Sequence, residues 1–108
     1  MANTFKNSFS KDVGTSAATI YTAPSATQTT LIGLSVANTT ASPITCDAYV
    51  TSSAVDYYLI KGATVPVGGS LVIVGGDQKV VLEAADALKV ISSAASSADV
   101  VCSLLEIA

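Results

Sequence analysis

The chain has 108 residues, enough for one domain; half of them are hydrophobic and only 12% are charged, about half the charged share of an average soluble domain. It contains no His, Arg or Trp and carries a net charge of −3, which removes histidine-based acid–base chemistry and the bidentate guanidinium grip on anions. Lys6, Lys11, Lys61, Lys79 and Lys89 are scattered along the chain, whereas a phosphate-reading surface needs clustered cations, so no nucleic-acid partner is expected.

Residues 1–14 differ in composition from the rest of the chain. They are rich in Asn, Ser and Lys and hold the only two phenylalanines, Phe5 and Phe9. A spacing of four would align the two rings on one helical face. The segment reads as an N-terminal arm whose rings either cap the core or reach a neighbouring subunit, and the domain proper as residues 15–108. No apolar stretch of signal-peptide type opens the chain, and no run approaches the roughly 18 apolar residues of a membrane helix. A cytoplasmic origin with no membrane partner is therefore expected.

From residue 16 the chain is a series of short β-type runs broken by Gly, Pro, Asn and Asp. SAATIYTA (16–23) reads as a first strand, and Pro24 turns the chain. In the run from Thr29, Ile32, Leu34 and Val36 alternate with Gly33, Ser35 and Ala37, giving one large apolar face and one small face. Asn38 to Pro43 is a turn cluster. In the next strand, residues 44–51, Cys46, Ala48 and Val50 share one face, and Thr45, Asp47, Tyr49 and Thr51 the other. DYYLIK (56–61) is the next strand and is rich in aromatic residues. Pro66 holds Val65 extended. Ser70 to Val74 and Lys79 to Glu83 read as a hairpin around a tight turn at Gly75–Gln78, with one helical turn near 83–87. Leu88 to Ser92 and Asp99 to Ile107 complete the set; the last is apolar on both faces except at Ser103 and Glu106 and so should be central or sandwiched.

Eight short strands with short connections predict an all-β fold, an antiparallel β-sandwich of jelly-roll type. Its predicted core holds Ile32, Leu34, Val36, Cys46, Ala48, Val50, Ile73 and Leu104. Cys46 and Cys102 lie in apolar strands of a chain without a secretion signal, so both should be buried, reduced and free of metal.

The candidate sites are few. VPVGGS and VGGDQK match no phosphate-binding loop, and their glycines read as turn residues. Asp77, Glu83 and Asp86 each border a turn, where Asp commonly bonds the backbone, and no alternating acidic series of a calcium loop occurs. Serine nucleophiles lack a histidine base and no S-x-x-K pattern is present. No enzymatic activity, cofactor or metal is therefore expected. Tyr49, Tyr57 and Tyr58 fall on adjacent strands and could pair across them or stack on a sugar ring. A charge-poor surface favours self-association; a homo-oligomer, most simply a trimer, is expected, with Phe5 and Phe9 as candidate partner contacts.

Taken together, ANTFKNSFSKDVGTS, LIGLSVANTT, YYLIKGATVPVGGSLVIVGGDQKVVLEAADALKV and ADVVCSLLEI resemble the small virion structural proteins of tailed bacteriophages, especially those infecting cyanobacteria. The resemblance covers nearly the whole chain and rests on the order of strand and turn phrases. It implies a non-enzymatic β-domain present in many copies on the virion, assembled in the host cytoplasm. Its implied role is that of a cement or decoration protein bound to the major capsid protein. A tail, baseplate or fibre component, or a glycan- or receptor-binding β-module, is the alternative. Ala85-Asp86 departs from the Gly-Asp that the resemblance leads one to expect in that turn.

Overall fold

The computed structural model describes residues 2–75 and 78–108. It contains strands β1 (Asn3–Val13), β2 (Ala18–Thr22), β3 (Gln28–Asn38), β4 (Ile44–Ser52), β5 (Val55–Val65), β6 (Ser70–Val74), β7 (Val80–Leu82), β8 (Ala87–Ser92) and β9 (Ala98–Ile107). All pair antiparallel. One sheet has the order β1-β9-β3-β6, with β7 also on β3, and the other the order β2-β8-β4-β5. The two sheets pack face to face as a β-sandwich.

The core lies between the sheets, and period-2 alternation decides which residues enter it. Leu34, Val36, Cys46, Ala48 and Leu104 are almost wholly buried, and Val50 and Ile73 are partly buried against them. Ile32 is the exception among the predicted core residues. Pairing of β3 with β9 shifts between Leu31↔Leu104 and Gly33↔Ser103, so a β-bulge at Ile32 inserts one residue and reverses the alternation. Leu31 and Thr29 take the inward positions, both with no exposed surface, and Ile32 is turned outward. As predicted, β9 is central, between β1 and β3.

Three further expectations are corrected. Residues 3–13 are an edge strand paired to β9 from Asn3↔Ile107 to Val13↔Ala98, so Phe5 and Phe9 share a face because of strand alternation and not helical spacing. Neither ring caps the core: they are 76% and 65% exposed. β6 and β7 are not two arms of a hairpin. Leu34 pairs with Val74 and Leu31 with Val80, so they lie end to end along the same edge of β3. Gly75 and Gln78 bridge at the interruption; Gly76 and Asp77 of the expected tight turn lie outside the described residues. Finally, residues 83–86 form no helix. The Asp86 N–H donates to the Glu83 carbonyl (3.0 Å) and the Asp86 carboxylate accepts from the Glu83 N–H (3.0 Å), a turn with Ala85 at φ 72°.

The Asn38–Pro43 turn is organised by one buried amide. Asn38, 5% exposed, donates through Nδ2 to the carbonyls of Ser42 (2.8 Å) and Val65 (3.1 Å). Its Oδ1 accepts from the Thr40 N–H (2.8 Å) and the Thr40 hydroxyl (2.7 Å). All four of its hydrogen-bonding positions are used, and the side chain ties β3, the turn and the end of β5 together.

Candidate contact surface

The outward face of the five-stranded sheet is built from rows that run across three or four strands. Phe9 pairs with Val101, Val101 with Ser35 and Ser35 with Val72. Phe5 pairs with Leu105, Leu105 with Thr30 and Thr30 with Val81. Between them lies the row Asn7, Ser103 and Gly33. Phe5, Phe9, Val72, Val81 and Val101 are all exposed large apolar residues. Their burial would be favourable by about 25 cal/mol per Å², and grouping on one face is what distinguishes such a surface from scattered exposed residues. Small residues fill the middle, leaving a shallow depression of about 150 Å³ lined by Gly33, Ser35, Val72, Val101 and Ser103 among others.

Sequence reasoning found Phe5 and Phe9 but missed Val72, Val81, Val101 and Leu105. The available signal was that SLVIV, KVVL and DVVCSLLEI are apolar on both faces. In a two-layer sandwich one of those faces has no partner within the chain.

The lysines of β1 are drawn back toward β9. Lys6 Nζ lies 3.1 Å from Glu106 Oε1, and Lys11 Nζ lies 3.4 Å from Asp99 Oδ2. Glu106 is also the centre of a polar group between the sheets. The Tyr21 hydroxyl donates to Glu106 Oε2 (2.5 Å) and lies 2.8 Å from the hydroxyl of the fully buried Thr29. That hydroxyl bond, then Lys6, holds the Glu106 carboxyl below its ordinary value. Burial, then the bond to Glu106, pushes Tyr21 up to about 12. Groups shifted in these directions favour the network as drawn, a neutral phenol donating to an ionised carboxylate. It fastens β1 and β9 to β2 and has the chemistry of a structural tie.

The tyrosines do not assemble into one platform. Tyr49 and Tyr58 face each other on β4 and β5, with ring centroids 4.9 Å apart and planes tilted by 39°. Lys61 Nζ lies 4.5 Å from the Tyr58 ring centre. Tyr49 is only 8% exposed, although its strand position is outward, because the register sets Tyr58 on one side of it and Lys89 on the other. Tyr57, 59% exposed, precedes Tyr58 in sequence and so points to the opposite face. Cross-strand packing accounts for Tyr49 and Tyr58.

Cys46 and Cys102 are buried and free, on β4 and β9 of opposite sheets. Burial raises both thiols, Cys102 to about 11 and Cys46, with Asp47 contributing second, in the same direction. Such thiols are poor nucleophiles at neutral pH. Among the described residues no three of the metal-ligating side chains gather, and no helix is long and apolar enough to cross a membrane. An open recess of about 460 Å³ is lined by Ala26, Thr27, Gln28, Glu83, Ala84, Ile107 and Ala108; Glu83 is its one ionisable side chain. In comparison with known proteins, the sequence matches no family model and no curated protein.

Proposed function

We propose that the chain is a non-enzymatic structural subunit of a tailed-phage virion, acting as a cement or decoration protein that seats the outward face of its five-stranded sheet on the shell of the major capsid protein. The strand order 1-9-3-6 against 2-8-4-5, with one strand split into β6 and β7, supports reading the sandwich as a jelly roll. The observation that carries the functional reading is the apolar face itself: Phe5, Phe9, Val72, Val81 and Val101 are exposed together on one sheet of a chain with little charge to keep such a face in water. A subunit held in many copies gains from contacts that are weak singly and add through multivalency.

The test is copy number. In purified particles separated into heads and tails, a decoration protein should accompany the heads at an abundance approaching that of the shell protein. A scarce protein that leaves with detached tails would overturn the assignment.

A further inference from the structure

β1 is an edge strand with one side unpaired, and the register fixes which of its backbone groups face that side. Ala2 and Ala108 exchange both hydrogen bonds, N–H to carbonyl at 3.0 Å in each direction. Pairing then continues without a shift from Asn3↔Ile107 to Ser10↔Val100. In an antiparallel ladder such doubly bonded pairs recur at every second residue. Thr4, Lys6, Ser8 and Ser10 therefore bond β9, while Asn3, Phe5, Asn7 and Phe9 turn their N–H and C=O to the free edge. The ladder is regular until the irregularity between Ser10 and Val13, where Asp12 takes φ 56°. The open edge thus runs from Asn3 to Lys11, and its centre is Asn7.

Long regular edges are usually blocked, often by an inward-pointing lysine. Lys6 has that position, but its ammonium is held by Glu106 on β9 and Lys11 by Asp99 on β9. Both charges lean away from the open side. The edge is left unblocked.

We infer that β1 is a self-pairing edge: two copies of this chain join β1 to β1 antiparallel about a two-fold axis at Asn7, making one continuous sheet. In this register Asn7 faces Asn7 of the second copy, Phe5 faces Phe9 and Asn3 faces Lys11. All of these residues present edge-facing backbone groups, and roughly ten hydrogen bonds form. It is the register of greatest overlap, it sets each phenylalanine beside another, and it keeps Lys6 off its own counterpart by placing it opposite Ser8. Cross-strand aromatic pairs are among the favourable ones. The contact is isologous, as a two-fold requires, and so differs from the trimer expected from the sequence. The rings meet at their edges and keep their outward faces open, so the contact falls below the roughly 1,000 Å² of stable interfaces, and a weak, concentration-dependent dimer held mainly by the strand hydrogen bonds is expected. Self-pairing does not depend on the virion role and is tested on the isolated protein.

Cross-linking reads the register directly. Asn7→Cys should give a disulfide-linked dimer on oxidation, because doubly bonded cross-strand partners lie about 5.5 Å apart at Cα. Asn3→Cys should not, because its counterpart would sit about 27 Å away along the strand. The native cysteines are buried and do not compete. Asn7→Pro supplies the second arm: the register turns the Asn7 N–H away from β9, so the fold should keep its circular dichroism and melting profile. The dimer should weaken about tenfold or more, since each copy loses a central hydrogen bond. Sedimentation over a concentration series reads that shift. A wild-type protein that stays monomeric, equal cross-linking by Asn3→Cys, or a dimer indifferent to Asn7→Pro would each overturn the inference.

Discussion

Asn38 is the side chain whose removal should cost the fold most for its size. Asn38→Ala deletes two donors and one doubly used acceptor at a site 5% exposed. The four groups left behind, on Thr40 (two), Ser42 and Val65, are not equivalent. Thr40 and Ser42 lie toward the surface and can recruit water, whereas Val65 is fully buried, and its carbonyl would lose the amide that reaches it. One buried unsatisfied group costs about 1–3 kcal/mol, and lost bonds at wet positions about 0.5–1.5 kcal/mol each. With the three wetter bonds at the low end of that range, because water replaces them, the total comes to about 2.5–4.5 kcal/mol, or roughly 10–18 °C in melting temperature at about 4 °C per kcal/mol for a domain of this size. Asn38→Asp should fare no better, because it keeps the acceptor for Thr40 but turns a carboxylate toward the carbonyls of Ser42 and Val65. Thr40→Ala should cost under about 1 kcal/mol, since the backbone bond from residue 40 survives. Thermal and urea unfolding of the three variants measures this. A loss below about 1 kcal/mol for Asn38→Ala, or equal losses for Asn38→Ala and Thr40→Ala, would refute the reasoning.

Three other perturbations have definite expected outcomes. Ser53 and Ala54, the two-residue loop between β4 and β5, have φ of 51° and 64°, a geometry that favours glycine; Ala54→Gly should raise stability by about 0.5–1 kcal/mol, and a fall in melting temperature would contradict it. Cys46 and Cys102 should both be alkylated in denaturant without reductant and resist alkylation in the native protein, and a mass two protons short of the reduced chain would contradict this. The Glu106 carboxyl is lowered in the folded state, so its contribution is complete above the unfolded value, about 4.3, and is lost as pH falls through the folded one. Tyr21 is raised to about 12, so its contribution is complete below about 10 and is lost as pH rises toward 12. Glu106→Gln should flatten the acid limb of stability against pH and Tyr21→Phe the alkaline limb; unchanged limbs would contradict the network.

How far the sequence reveals this fold depends on whether the deciding interaction is local. Leu34, Val36, Cys46, Ala48 and Leu104 are legible because alternation assigns a face without knowledge of the partner strand. The Asn38 cluster is legible as a turn, because its bonds to Thr40 and Ser42 are local, but its hold on Val65 is not. Ile32 is misplaced by alternation because a bulge is a property of the pairing between β3 and β9, and nothing in the run itself marks it. β1 is hidden because its inward residues, Thr4, Lys6, Ser8 and Ser10, are polar. They lie at the margin of the sandwich, and the network around Glu106 stands where a hydrophobic seam would otherwise be. β6 and β7 read as a hairpin because two short apolar runs around Gly-Gly look alike whether they pair with each other or both extend along β3. The apolar surface requires both sheets before it can be recognised, since an apolar outward face becomes informative only when the inward one has been identified. The Ala85 turn shows a local departure carrying through: a residue with a Cβ occupies φ 72°, where the resemblance leads one to expect glycine.

The most direct test of the proposed role is a cryo-electron-microscopy reconstruction of the intact particle that carries this protein. The predicted result is density for the sandwich on the outside of the head, with Phe5, Phe9, Val72, Val81 and Val101 against the shell and the β4–β5 hairpin turned away from it. Density for the chain within the tail, or a head-bound subunit with that face open to solvent, would contradict it.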